Sequence, residues 1–396
     1  MSIIKTLVRN FILNLLALYL RCFSKRAADQ VALIAPPIPC KNLGDQALLL
    51  GSLHELLSNN KKVSVIQIAN DSCSEALTKA KVKFDKQNIH DEFMAAFVSD
   101  NSFTERWRLL KFMASKAHCY VIGADVLDGT YNPSETKIIF DMCLLLSKSG
   151  VSVNLISASF SKNIANEAKQ GLRSINNKVK LYCRDYYSQQ RVKQFCDADL
   201  SADVAFLMPP STILSGYSEP PEMSGLTIGL CLKNTDLNNQ QNKQAFLDEI
   251  ERFASLNSNI NFIALPHFQT DFEELQNLAA LSDVLKRYII MPHALPSAPD
   301  IKNMAMRCDF VITGRMHVAI AAISQGVPVL CLSYGDKFAG LLRHFSLPEK
   351  ELVLEGFNAV QFHNSLKLIA AKYTSFRETI LANKETVLKL ARSNFE

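Results

Sequence analysis

Arg315 and His317 stand two positions apart in VITGRMHVAI, where an apolar run is broken by Gly314. A guanidinium is a planar fork that fits the oxygens of a carboxylate or phosphate, and an imidazole exchanges protons near neutral pH. Set at i and i+2 around a strand-to-helix turn, the two side chains can converge on one ligand, beside helix amides that favour an anion. Lys337 adds a positive charge in the next polar break, SYGDK. The set suits a small, multiply charged anion that undergoes acid–base chemistry. Structural ion pairs are the alternative reading of the same residues.

Other polar breaks carry further candidates. His267 closes NFIALPH, as a ligand group or a hydrogen-bonded core histidine; Arg184 follows a short apolar run in YCRDYYS, as a ligand group or the partner of a neighbouring aspartate. In CKNLGDQ, Asp45 is expected to cap a helix that begins at Gln46, Gly44 to let the backbone turn tightly, and Asn42 to face a ligand. In GADVLDG, Asp125 or Asp128 could accept hydrogen bonds from sugar hydroxyls or simply close a turn. No G-x-G-x-x-G loop and no P-loop occurs, so no motif points to nicotinamide or ATP chemistry.

The elements that must hold these residues alternate. Residues 31–37, 63–69, 119–124 and 151–159 read as buried strands, with helices expected over 45–57 and near 135–148. Residues 208–225 concentrate Pro, Ser and Gly and read as a linker. A second series follows: strands at 226–232, 261–267, 308–313 and 327–332, a helix from His317 to Gln325 stopped by Gly326, and another from about Phe338. The prediction is an α/β protein of two Rossmann-like domains, 27–207 and 226–396, facing each other across a cleft in the GT-B manner. Every polar break then falls at the carboxyl edge of a parallel sheet, where open α/β sheets bind ligands.

Composition narrows the class. A hydrophobic content of 48% with 20% charged residues describes a foldable globular chain, and 396 residues favour two domains over one. The net charge of +5 is spread without a basic run, so nucleic acid is not indicated. The ten cysteines form no C-x-x-C pair, and several lie in apolar runs; they read as reduced core residues of a cytoplasmic protein, and no metal-ligand cluster appears. Residues 1–26 are apolar with Lys5, Arg9, Arg21, Lys25 and Arg26 toward the ends. The uninterrupted apolar stretch is too short to span a bilayer, which leaves a membrane-surface helix or one packed on the protein itself.

In this order and spacing the segments NLGDQAL, GADVLDG, CRDYYS, ADVAF and TGRMHVAIAAISQGVPVLCLSYGDK resemble those of the polysaccharide pyruvyl transferases, from residue 31 to 345. One departure is Ala124, where members often carry a second glycine. The resemblance implies transfer of the enolpyruvyl carbons of phosphoenolpyruvate onto two hydroxyls of a sugar, giving a cyclic ketal and phosphate, with phosphoenolpyruvate as donor substrate and no cofactor or metal. It places Arg315 and His317 at the donor site as clamp and proton carrier. Lys337 would neutralise phosphate, and Asn42, Asp45 and Asp125 would reach donor or sugar from the other domain. It also implies a sugar or lipid-linked saccharide acceptor, and hence work at the inner face of the membrane. Two rivals share the scaffold. A glycosyltransferase using a nucleotide-sugar often carries two glutamates eight positions apart, absent here; a non-catalytic sugar-binding protein would be expected to have lost Arg315 or His317.

Overall fold

The computed structural model describes residues 2–23, 26–36, 38, 40–66, 89–92, 103–212, 214, 216–217, 223–233, 236–237, 239–257, 259–333 and 337–396. Thirteen strands among these residues form two wholly parallel sheets. In the first, β1 (Ala27–Ile34), β2 (Lys62–Ile66), β3 (Ile89–Glu92), β4 (Lys116–Ile122), β5 (Ser152–Ala158), β6 (Lys180–Cys183) and β7 (Asp199–Leu200) lie in the order 3-2-1-4-5-6-7. In the second, β8 (Leu226–Cys231), β9 (Ile260–Ala264), β10 (Ile289–Ile290), β11 (Phe310–Thr313), β12 (Val329–Ser333) and β13 (Val353–Glu355) follow 10-9-8-11-12-13. Each sheet therefore reverses its winding once, between β1 and β4 and between β8 and β11. That crevice is where a doubly wound sheet takes its ligand.

Side-chain alternation explains why both faces are covered. Val31 and Leu33 of β1 join an apolar cluster that continues into the second sheet, while Ala32 and Ile34 join a separate cluster on the opposite face. The helix Leu43–Ser58 links the halves. Its residues from Leu43 to Leu53 are all buried, which accounts for a run apolar on every side. Gly51 has no room for a side chain, since a Cβ there would lie 2.1 Å from the Val204 carbonyl oxygen.

The sequence boundaries hold to within a few residues. The strand expected at 31–37 begins earlier, at Ala27, and stops at Ile34, ahead of Pro36, which has no N–H to donate to a ladder. Residues 67–69, expected in the second strand, lie outside the described residues, as does part of 208–225. Helix Met316–Ser324 and helix Lys337–His344 start one residue earlier than expected.

The chain does not end in its second half. Helix Ala359–Ser393 delivers Asn394 to the first sheet, where its Oδ1 accepts the Ser157 N–H at 2.9 Å and its Nδ2 donates to the Ala202 carbonyl at 3.0 Å. Phe395 packs on Tyr120 with ring centroids 5.3 Å apart. Lys302, buried on helix Ala298–Ala305, donates to the carbonyls of Phe206 and Met208 and so pins the crossing between the halves.

The amino-terminal helix Ser2–Phe23 has two apolar faces. Ala17 and Leu20 are buried, Leu13 and Leu16 pack on the same cluster, and Tyr19 meets Trp107. Phe11, Ile12, Leu15 and Leu18 stand exposed. Arg26, at the end of this basic segment, donates to the carbonyls of Ala114 and Ser149. No described helix is long and apolar enough to cross a membrane.

Asn394 carries a prediction. Asn394→Ala strands two buried backbone groups and should cost about 2–4 kcal/mol in urea unfolding. A loss below roughly 1 kcal/mol would show that the tail is held by the Phe395 contact instead.

Candidate functional site

A cavity of about 560 Å³ lies between the two winding reversals. Asn42 and Asp45 reach it from the start of the helix that follows β1, Asp125 from the loop after β4, and Arg184 from the end of β6. His267, Arg315, His317 and Lys337 reach it from the ends of β9, β11 and β12. All eight sequence candidates thus line one cavity. A larger and shallower hollow of about 840 Å³, on the far side of helix Lys337–His344 beside Tyr187 and Lys350, contains none of them.

The first loop works differently from expectation. Asn42, not Asp45, caps the helix: its Oδ1 accepts the Gly44 N–H at 2.9 Å. Asp45 sits in the first turn, where its carboxylate accepts from Asn42 Nδ2 and from the Ile38 N–H, both at 3.1 Å. Gly44 is there for space. A Cβ at this position would lie 2.2 Å from Nδ1 of His317, so only glycine lets the imidazole of the second half close against the first.

His317 is the second residue of helix Met316–Ser324, with Arg315 in the cap position, and its ring is nearly enclosed. Its Nε2 lies 3.8 Å from Asp203 Oδ2 and has no hydrogen-bond partner. Burial pushes its pKa below the usual value, against the pull of the Asp203 carboxylate. His267 stacks on it with centroids 6.1 Å apart and planes 15° from parallel. Neither nitrogen of the buried His267 ring has a partner, and burial, then the positive neighbours, hold its pKa well below the ordinary range. Two imidazoles are thus kept neutral at rest, with nitrogens unused by the fold.

The cations are all paired. Arg184 is buried and donates from Nη1 to Asp203 Oδ2 at 3.0 Å; its partner lies nineteen positions along the chain, not next door. Its Nε has no partner. Arg315 donates from Nε and Nη2 to the two oxygens of Asp271, at 2.9 and 2.6 Å, and its guanidinium covers the Phe268 ring at 4.5 Å. The expected fork toward a ligand is therefore already occupied along one edge, and only the Nη1 end lies outside that pair. Asp271 is held in place by the N–H groups of His267 and Phe268. Lys337 donates across the cleft to Asp125 Oδ2 at 2.6 Å. Burial would raise the pKa of Asp125, but the Lys337 ammonium and Arg184 outweigh it and bring it to about 2. Asp128, the other carboxylate of that loop, is buried and accepts from Thr130 and Ser161 as a turn residue.

Several site residues escaped the sequence reading. Asp203 lies in the quoted ADVAF segment but carried no role there. Asp271 and Phe268 belong to the start of helix Gln269–Leu281, and no local pattern links them to Arg315 forty-four positions away. Asp236 is buried under Gly314, where a Cβ would lie 1.8 Å from its Oδ2. Nine cysteines are described as free thiols, eight of them buried. Among the described residues no group of three or more His, Cys, Asp or Glu is arranged to hold a metal.

Two facing, doubly wound sheets with a cleft site define the GT-B class of architecture. Solved structures share it. A UDP-N-acetylglucosamine 2-epimerase superimposes with a TM-score of 0.58 at 14% identity, over 94% of this chain and 95% of that one. A glycosyltransferase from Rickettsia africae gives 0.58 at 11%, over 92% and 96%. The UDP-GlcNAc 2-epimerase of Neisseria meningitidis gives 0.54 at 10%, over 91% and 98%. At such identities the likeness is one of fold alone. No curated protein matches the chain by sequence. The sequence profile described as polysaccharide pyruvyl transferase matches residues 42–336, and the chain belongs to that family. It is, at that level, a transferase.

The Gly44 contact makes a sharp test. Gly44→Ala should fold, since alanine favours a helix, yet it must displace the His317 ring. Transferase turnover is expected to fall roughly a hundredfold, as for a catalytic group moved by about 1 Å. Unchanged turnover with an unchanged melting temperature would show that the ring has slack.

Proposed function

We propose that the protein transfers the enolpyruvyl carbons of phosphoenolpyruvate onto two hydroxyls of a saccharide, forming a pyruvate ketal and releasing phosphate in the assembly of a cell-surface polysaccharide. The observation that carries this reading is the convergence of Arg184, Arg315 and Lys337 with two neutral imidazoles on one cavity. A donor bearing a carboxylate and a phosphate calls for that many cations. Its methylene carbon calls for a proton.

In the proposed reaction His317 delivers a proton to the donor's methylene carbon, and positive charge develops on the adjacent carbon. The first sugar hydroxyl bonds to that carbon, the carbon–oxygen bond to phosphate breaks, and the second hydroxyl closes the ring. Of the two hydroxyl protons, one replaces that given to carbon and one departs with phosphate. The free end of Arg315 stabilises donor oxygens, and Lys337 takes phosphate charge. The bound trianion raises the pKa of His317 from its depressed resting value, so the proton is loaded when the donor arrives. No cofactor enters the scheme.

Incubation of the protein with phosphoenolpyruvate and a panel of saccharides should release phosphate together with an acid-labile mass gain on one acceptor. His317→Asn should depress turnover while leaving donor affinity largely intact, and Arg315→Lys should lose most activity, because lysine cannot hold Asp271 and the donor together. Consumption of a nucleotide-sugar in place of phosphoenolpyruvate would overturn the reading in favour of glycosyl transfer.

We also infer that the protein works on the inner face of the cell membrane, on a lipid-linked acceptor. The exposed Phe11, Ile12, Leu15 and Leu18 form one stripe on helix Ser2–Phe23, with exposed Arg21 beside them and Lys5 and Arg9 in the same segment. Such a face sinks into the headgroup boundary and is drawn to anionic lipid. Replacing those four apolar residues with Ser should abolish sedimentation with anionic vesicles while activity on a soluble saccharide persists. Equal vesicle binding by the variant would defeat the inference.

A further inference from the structure

The loop after β4 presents Tyr131 at the cleft mouth in a way its folding does not require. The ring is 71% exposed, so it gains little from burial. The turn beneath it is nevertheless fixed from several sides. Asp128 accepts the Thr130 N–H at 2.9 Å and the Ser161 N–H at 3.2 Å, and Gly129 supplies a φ of +76°. Asn132 caps helix Pro133–Lys148, and Thr136 ties that helix back to the Val126 carbonyl. Isolated exposed apolar residues are ordinary. This one donates its hydroxyl proton to Asp125 Oδ2 at 3.2 Å and lines the cavity with it. The bare ring face and a carboxylate are thus held side by side.

The ion pairs of the site differ in how readily they exchange; that of Lys233 with Asp236, like the two arginine pairs, rests on a sealed carboxylate. Arg184 with Asp203 and Arg315 with Asp271 have their carboxylates sealed, with side-chain exposures of 2% and 1%. Lys337 with Asp125 is open, at 38% and 31%, and it joins the two halves. Among the described cations of the cavity, Lys337 is the one that can change partner without baring a buried charge. A phosphate offers it more charge than one carboxylate does.

We propose that Tyr131 and Asp125 form the acceptor subsite, and that the donor opens it by taking Lys337 from Asp125. The ring carries the C–H face of a sugar residue, and the freed carboxylate accepts hydrogen bonds from its hydroxyl pair. The ligand class is a neutral saccharide with two neighbouring hydroxyls beside an apolar face. Before the donor arrives, Asp125 is committed to Lys337 and the saccharide finds only half of its partners. Binding is therefore ordered, donor first. The proposal rests on the pyruvyl-transfer reading.

The test uses the full-length protein, phosphoenolpyruvate binding by calorimetry and steady-state kinetics with the acceptor found above. Tyr131→Ala should raise the acceptor KM roughly tenfold, the size of one aromatic contact, and leave the donor Kd unchanged. Tyr131→Phe keeps the ring but loses the hydroxyl bond to Asp125, and should recover most of the acceptor KM that Tyr131→Ala loses. Asp125→Asn should raise the acceptor KM yet tighten the donor, because Lys337 is released. An acceptor KM unmoved by Tyr131→Ala, or a donor weakened by Asp125→Asn, overturns the subsite while leaving pyruvyl transfer standing. No calorimetric binding of phosphoenolpyruvate to the wild-type protein overturns both.

Discussion

The site depends on a missing atom. His317 belongs to the second half of the molecule, and its ring lies where a side chain on residue 44 of the first half would be. The same helix gives way again at Gly51, one helical stripe further along, to the Val204 carbonyl. Between those two contacts the helix is buried all round, so neither half can shift without opening apolar surface. The 204–207 turn that touches Gly51 follows directly on Asp203, which faces His317 and holds Arg184. Two glycines seven residues apart thus set the distance between the histidine and its carboxylate.

A cleft lined by several cations has to keep them apart in charge as well as in space. Several cations left bare in a partly enclosed cavity would repel one another and lose their hydration. The structure meets this with one aspartate for each cation, at graded depth. The deepest pairs, on Asp203 and Asp271, orient their guanidiniums permanently. The shallow pair on Asp125 neutralises Lys337 while leaving both groups open to solvent. The histidines follow the opposite logic: burial disfavours the charged form of both, so they add no charge to the cavity.

Much of this was legible in the chain. The alternation of buried strands with helices predicted both sheets, because parallel strands covered on both faces must read as continuous apolar runs. The carboxyl-edge rule then gathers Asn42, Asp45, Asp125, Arg184, His267, Arg315, His317 and Lys337 on one cleft. The partners were not legible. Asp271 meets Arg315 through a helix start in another loop, and Asp203 meets Arg184 across a sheet edge; such pairings have no local period. Gly44 was assigned to a tight turn, since sequence shows only that a glycine is present and not which neighbour needs the room. The return of Asn394 to the first sheet was equally hidden, because a helix of 35 residues can point its end anywhere until packing decides.

Ala124 shows what holds the loop that carries Asp125 and Tyr131. Its φ of +40° lies in the left-handed region, which costs a residue with a side chain about 1–2 kcal/mol. The conformation persists because its surroundings leave no other. The Ala124 carbonyl accepts the Ser159 N–H at 2.6 Å, and Gly123 just before it donates to the Ile156 carbonyl at 2.8 Å. On the other side, Leu127 and Ala158 crowd the space over Gly123. The turn is therefore clamped to β5 on both sides of the strained residue, and Asp125 leaves it in a single direction, toward Lys337. Strain of this kind is kept only where the neighbours over-determine it. Here the neighbour is the next strand of the sheet, so the aim of a carboxylate lining the cavity is fixed by the same ladder that builds the fold.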